Sequence, residues 1–394
     1  MASLPILVCT GPVPTLLRQA QVHGCIHLIS GETDLDTIFR LKEDAAENGG
    51  DRNRCYVVIG GEDALVGWHY AARFADCVTA IVATDGAFNP DVAVLLRNVP
   101  VMAPADIVRL LHMEGNRVCV KINNGFDQAA MDWLMAQDLS LQQRVSIYQP
   151  GLYGIEAGVM DSFYLVEGAD KAMLIDTGMS KTNMRPMVER LTRLPIECAA
   201  THVHGDHIYH CDEFDKVYLC EDDYPLIQTY VDMMMKDKGY TEATFTPFKD
   251  GDVFDLGGGV TLEAVQIGGH TPGSVCFVDR YHEAVFAGDA IGSGYGVYMA
   301  LPGSMCVSEY RKNLITFREK MEPFRDFSFY GGHRPQERGM DPTKHQRNPL
   351  CLELVDDMIS LCDQVLAEGE NFGEETRYVT FGRANMWIDG QRVR

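Results

Sequence analysis

The run Thr201-His202-Val203-His204-Gly205-Asp206-His207 brings three imidazoles and one carboxylate together within six residues. A packed core has no use for such a density of ligand-type side chains, so the run reads as a metal site. Residues 196–201 before it are mostly small and apolar and predict a buried strand, with the cluster on the loop at that strand's carboxyl end. On extended backbone alternate side chains share a face, which lets His202 and His204 bind one ion together. Gly205 then lets the chain turn, and Asp206 and His207 can point to a second ion. Neutral imidazole and carboxylate suit zinc, and iron or manganese are compatible with the same donors.

Further candidates recur in the same setting. Gly268-Gly269-His270-Thr271-Pro272-Gly273-Ser274 follows a strand-like segment at 261–267. Ala284-Val285-Phe286-Ala287-Gly288-Asp289 is an apolar strand ending on a carboxylate, and Phe327-Ser328-Phe329-Tyr330-Gly331-Gly332-His333 ends on an imidazole. Upstream, Ala172-Met173-Leu174-Ile175-Asp176-Thr177-Gly178 has the same form of strand, then aspartate, then glycine. Each candidate stands where a short hydrophobic run stops.

These five motifs, in this order, resemble the metallo-β-lactamase fold superfamily over roughly residues 145 to 340. The resemblance implies an αβ/βα sandwich whose strand-end loops converge on a dinuclear site. By motif position, His202, His204 and His270 would bind the first metal, Asp206, His207 and His333 the second, and Asp289 would bridge them. Asp176 would hold the ligand loops by hydrogen bonds. Within the superfamily, flavodiiron oxygen reductases carry Glu where this chain has His204, and antibiotic-degrading branches carry Cys or Ser where Asp289 stands. The set here is similar to the glyoxalase II, lactonase and phosphodiesterase-like hydrolases. It departs from many of them after His207, where Ile208-Tyr209-His210 replace a small residue and glycine; His210 reads as a supporting or surface histidine.

Two cations about 3.5–4 Å apart can hold a hydroxide between them and polarise a carbonyl or phosphoryl oxygen, which supplies a nucleophile without serine or cysteine. Asp206 would orient that water and shuttle its proton. Tyr295 and Tyr298, in the loop after Asp289, are candidates to stabilise an oxyanion; packed aromatics are the plainer alternative. The expected enzyme is a metal-dependent hydrolase of a small ester, thioester, lactone or similar bond. An iron-dependent oxidoreductase like the family's persulfide dioxygenases is disfavoured, because those hold one iron with two histidines and an aspartate. A metal-stabilised binding protein without turnover is the third reading. For substrate recognition beyond the metals the sequence offers only the basic residues Arg311, Lys312 and Arg334.

The elements that position these groups occupy part of a chain of 394 residues, long enough for two domains. Hydrophobic and charged shares of 46% and 23% are those of an ordinary globular protein. A net charge of −22 with no offsetting basic stripe argues against nucleic acid as a partner and against the RNA-processing branch. The first residues lack a basic segment and a long apolar core, and no stretch has the apolar length of a membrane span, so the expectation is a cytosolic protein. Twelve scattered cysteines without a C-x-x-C pair fit reduced thiols.

Residues 1–140 read as a separate unit. Strand-like runs at 6–9, 25–29, 56–59, 78–82, 99–102 and 118–122 alternate with helix-length segments such as 64–74, which predicts a small parallel α/β layer. Its sequence from Val58 through Asp106 distantly resembles the latter half of an α/β-hydrolase, with Glu62-Asp63 where that fold would carry its nucleophilic serine. The unit is therefore expected to be non-catalytic, serving to cover the metal pocket, shape specificity or form a homo-oligomer interface. The join is expected within 136–144, leaving 141–394 as the catalytic domain. Helices are expected at 310–321 and 350–368, and a hairpin or extended tail at 378–389.

Overall fold

In the computed structural model, residues 3–96, 99–113, 120–157, 161–292, 296–333, 336 and 350–393 are described. The chain forms two compact units, Met1–Ser146 and Ile147–Arg394, and the division falls inside the strand Gln143–Gln149.

The first unit is a six-stranded sheet. Its strand order is His27–Ser30, Leu4–Thr10, Gly50–Ile59, Ala80–Ala83, Val101–Ala103, Val120–Ile122, and every neighbouring pair is parallel. Parallel strands need crossover connections, and helices such as Thr15–Val22, Leu35–Glu47 and Ala64–Arg73 supply them. Both faces of the sheet are covered, as its alternating residues show. Ile6, Val8, Val57 and Ile59 pack with Trp68, Tyr70 and Phe74, whereas Leu7, Tyr56, Val58 and Val82 pack with Leu17, Ala130 and Leu134. Residues 118 and 119 of the last expected strand lie outside the described residues. Glu62 and Asp63 sit exposed in a short helical turn, Gly61–Asp63, before the helix Ala64–Arg73.

The second unit is a sandwich of two sheets. One has seven strands in the order Thr246–Phe248, Val217–Cys220, Ile196–Ala199, Ala172–Ile175, Asp161–Glu167, Leu152–Ala157, Gln143–Gln149. The other has five: Val253–Gly257, Val260–Gln266, Val275–Asp279, Ala284–Gly288, Ser328–Gly331. Between them, Tyr164, Met173, Ile175 and Tyr218 of the first sheet meet Leu262, Ala264, Phe277 and Phe286 of the second. The opposite face of the five-stranded sheet, with Val265, Cys276, Val278 and Val285, is buried under the helices Val307–Met321 and Leu352–Glu368. The central strands Val275–Asp279 and Ala284–Gly288 are buried on both faces for that reason, which is why they read in the sequence as near-continuous hydrophobic runs.

A third, small sheet joins Val297–Tyr298 to the hairpin Arg377–Phe381 and Ala384–Ile388 in the order 297–298, 384–388, 377–381. The expected C-terminal hairpin thus exists, and it also pairs with the segment that follows Asp289. No helix among the described residues is long and apolar enough to cross a membrane, and all described cysteines are free thiols.

Candidate metal centre

Five strand ends deliver the candidate ligands. The strand Ala172–Ile175 ends at Asp176, Ile196–Ala199 leads to the run 201–207, and Val260–Gln266 leads to His270. Ala284–Gly288 ends at Asp289, and Ser328–Gly331 leads to His333. The first two strands belong to the seven-stranded sheet and the other three to the five-stranded one, so residues distant in sequence meet where strand ends of both sheets converge.

The local backbone of the histidine run differs from the expected extended form. Residues 201–203 bend, and Gly205–Ile208 is a single helical turn with His204 at its start. Gly205 has no left-handed torsion to justify it. Its role is space: a Cβ there would come within 3.0 Å of Met234 Cβ and 3.3 Å of Met235 Cγ.

Three groups of donors converge, each with its ligand atoms within 4.8 Å of one another: His202, His204 and His270; His202, His207 and Asp289; Asp206, His207 and His333. Asp289 lies between the outer groups. Its carboxylate is 3.6 Å from His207 Nε2, 3.7 Å from His270 Nε2 and 3.2 Å from His333 Nε2.

In His202, His207 and His270 the other ring nitrogen is already engaged, which orients the ring. His207 Nδ1 donates to Asp176 Oδ2 at 2.9 Å, and His270 Nδ1 donates to the Tyr298 carbonyl at 2.7 Å. His202 Nδ1 lies 3.1 Å from Thr201 Oγ1, whose hydroxyl donates to Asp176 at 2.8 Å. Asp176 also accepts the Thr201 amide at 2.7 Å. Its own backbone is left-handed, φ 62°, a conformation uncommon for a residue with a side chain. One carboxylate thus pins two ligands of the run.

Whether these residues fit a metal is answered by the nitrogens left over. The Nε2 atoms of His202, His204, His207 and His270 are buried and have no hydrogen-bond partner among the described residues. Stranding four such atoms in one place costs on the order of 1–3 kcal/mol each, and coordination removes that cost. The donor set fits a divalent cation.

The electrostatics divide the site. Burial, reinforced by neighbouring imidazoles, pushes His202 and His204 well below the ordinary histidine range, and burial also lowers His270. Neutral imidazole is the ligating form. Burial opposes charge on His207 and His333 as well, yet there the carboxylates prevail: Asp176, Asp289 and Asp206 raise His207 well above its ordinary value. Asp289 and Asp206 carry His333 up to about 10. Asp206 and Asp289, despite burial, are held below the usual carboxylate range by the same two histidines. This half of the site is a concentration of negative charge that draws a cation.

Tyr298 reaches the site through its carbonyl, while its ring stacks on Trp387 with centroids 5.7 Å apart. Tyr295 lies outside the described residues, as does Arg334. Arg311 is paired with Asp363 on the neighbouring helix at 2.6 and 3.1 Å, and Lys312 is exposed. His210 bonds Glu213 at 2.7 Å and the Ser180 carbonyl at 2.9 Å, which makes it a fastener of the loop after Asp176.

Sequence reasoning missed three supports. Asp161 Oδ1 stands 3.7 Å from His333 Nδ1, Gln336 Oε1 accepts the His333 amide at 2.9 Å, and the Tyr230 ring packs 4.2 Å from that of His204. A strand-start aspartate and a helix tyrosine carry no local signal of such roles; only the fold brings them to the site.

The metallo-beta-lactamase superfamily pattern matches residues 158–361, just over half of the chain, and the chain belongs to that superfamily. It is a hydrolase of that group. Human acyl-coenzyme A thioesterase MBLAC2 is 25% identical over 198 residues, covering 42% of this chain and 69% of the human protein. The atrochrysone carboxyl ACP thioesterase nsrC of Aspergillus novofumigatus is 27% identical over 157 residues; the match spans 38% of this chain and 44% of nsrC. Among solved structures, a metallo-beta-lactamase from Pontibacter korlensis aligns over 56% of this chain and 99% of its own with 16% identity and a TM-score of 0.43.

Proposed function

We propose that this protein hydrolyses a small-molecule acyl thioester, using two divalent metal ions, zinc in the first instance with iron or manganese compatible. The observation that carries the reading is the convergence of four orphaned Nε2 atoms with Asp206, Asp289 and His333 where strand ends of both sheets meet. His202, His204 and His270 would hold one ion, Asp206, His207 and His333 the other, and Asp289 would bridge them. When bound, such ions polarise a carbonyl oxygen and lower the pKa of water.

The residues supply the rest. Asp206 has the most open of the ligand carboxylates, 29% exposed against 12% for Asp289, so it faces arriving substrate and water. Beside a metal-held water, its carboxylate can accept the proton that the water gives up. Hydrolysis breaks the acyl C–S bond, adds the elements of water, and yields a carboxylic acid and a thiol. A free thiol has a pKa of about 8.5, so it departs as thiolate without a partner acid. The reaction then needs one proton acceptor, a demand that Asp206 meets. The names of the relatives, both thioesterases, support this choice of bond.

The persulfide dioxygenase reading needs only two histidines and an aspartate. It leaves three of the five candidate histidines and one of the two candidate aspartates without a purpose. A panel of acyl thioesters, oxygen esters and lactones at matched concentration tests the proposal. Thioesters are expected to turn over fastest, with thiol released in step with acid; faster turnover of lactones or oxygen esters would overturn the thioester assignment.

A further inference from the structure

The ligands assigned to the first metal come from two loops almost seventy positions apart, and something must set the distance between them. His202 and His204 flank Val203; His270 precedes Thr271. Their rings stand close, with centroids 4.5 Å apart for His202 and His204, 4.8 Å for His202 and His270, and 4.4 Å for His204 and His270. An error of an ångström between the loops would spoil a shared coordination sphere.

Asp223 joins the two loops. It lies in the helical turn Glu221–Leu226 after the strand Val217–Cys220, fully buried, and belongs to neither loop. Its Oδ2 accepts the Val203 amide at 3.0 Å and the Thr271 hydroxyl at 2.9 Å, and its Oδ1 accepts the Gly273 amide at 2.7 Å. Thr271 is held in turn by Ser274, with Oγ1 and Oγ 2.9 Å apart. Gly273 permits the approach: a Cβ there would lie 2.7 Å from Asp223 Cγ. A wholly buried carboxylate is costly, and burial pushes this one up to about 6 even with three donors pointing at it.

We propose that Asp223 is a positioning residue that fixes the His202–His204 loop against the His270 loop and so sets the geometry of the first metal site. The inference rests on the reading of those three histidines as ligands. Asp223 touches the peptide unit between two of them and both the residue after the third and the turn beyond it. No other described carboxylate bonds both loops. By the behaviour of groups that orient metal ligands, its loss weakens binding by about 10- to 100-fold.

The test is titration of the full-length apoprotein with cobalt(II), followed by visible absorption and by competition with a chromogenic chelator, for wild type, Asp223→Asn, Thr271→Val and His270→Ala. In Asp223→Asn, one of the two cobalt equivalents should bind at least tenfold more weakly with an altered ligand-field spectrum. Its kcat should fall at least tenfold while KM moves less than threefold. A folded Asp223→Asn with wild-type cobalt affinity and spectrum overturns the proposal. If Asp223→Asn does not fold, Thr271→Val decides, since it removes a single bond. It should weaken the same equivalent severalfold, and unchanged affinity would count against Asp223. His270→Ala separates the two levels of inference. If it retains both equivalents at wild-type affinity, the ligand assignment itself fails; if it loses one while the Asp223 and Thr271 variants lose nothing, only the positioning role does.

Discussion

At the scale of single residues, the candidate centre holds His202, His207 and His270 by one ring nitrogen and leaves the other to offer. Asp176 and the Tyr298 carbonyl take the Nδ1 protons of His207 and His270, which leaves the two Nε2 lone pairs aimed inward. Removing one such ring removes a bond from a set of few. His202→Ala or His270→Ala is therefore expected to lose one metal equivalent and nearly all hydrolysis, as measured by elemental analysis and thioester turnover. Asp289→Ala should disturb both equivalents together, because its carboxylate lies within 3.7 Å of nitrogens from both groups. Loss of one ion with the other unaffected would argue against a bridge. The candidate donors that converge were legible in the sequence because several fall within one short run and the rest stand where apolar runs end. Asp161 and Asp223 were not: the partners of each lie far away in the chain, and Asp223 stands unmarked in the acidic run Glu221–Asp223.

At the scale of elements, precision comes from strand ends with no room to spare. A Cβ at Gly332 would meet His207 Cε1 at 2.6 Å and Asp289 Oδ1 at 2.7 Å, and one at Gly288 would meet Thr201 Oγ1 at 2.4 Å. Gly332→Ala is accordingly expected to lower metal affinity at least tenfold while far-ultraviolet circular dichroism stays at the wild-type level; unchanged affinity would mean that the strand end can yield. Periodicity and apolar runs revealed the strands, because a sheet buried on both faces leaves an unbroken hydrophobic signature. They could not reveal the one-turn helix at Gly205–Ile208, where Met234 and Met235 leave no room for a side chain on Gly205. Nor could they reveal that the C-terminal hairpin pairs with Val297–Tyr298, whose carbonyl holds His270. Pairing partners that far apart leave no local trace.

At the scale of the whole molecule, two units with separate cores share one chain, and every candidate ligand belongs to the second. The first carries Glu62 and Asp63, exposed, at the turn where an α/β-hydrolase would place its serine. Changing either to Ala is expected to leave kcat within twofold of wild type; a large fall at unchanged metal content would bring the first unit into the chemistry. The parallel order of its sheet was legible from alternating strand and helix lengths, whereas its purpose was not, because a doubly covered parallel sheet hosts many functions. The most direct test of the account is metal stoichiometry joined to turnover on the full-length protein. The account predicts about two divalent ions per chain, complete loss of thioester hydrolysis on removal of both by a chelator, and its return when zinc is restored. Full hydrolysis by protein stripped of metal, or by protein saturated at a single equivalent, would contradict it.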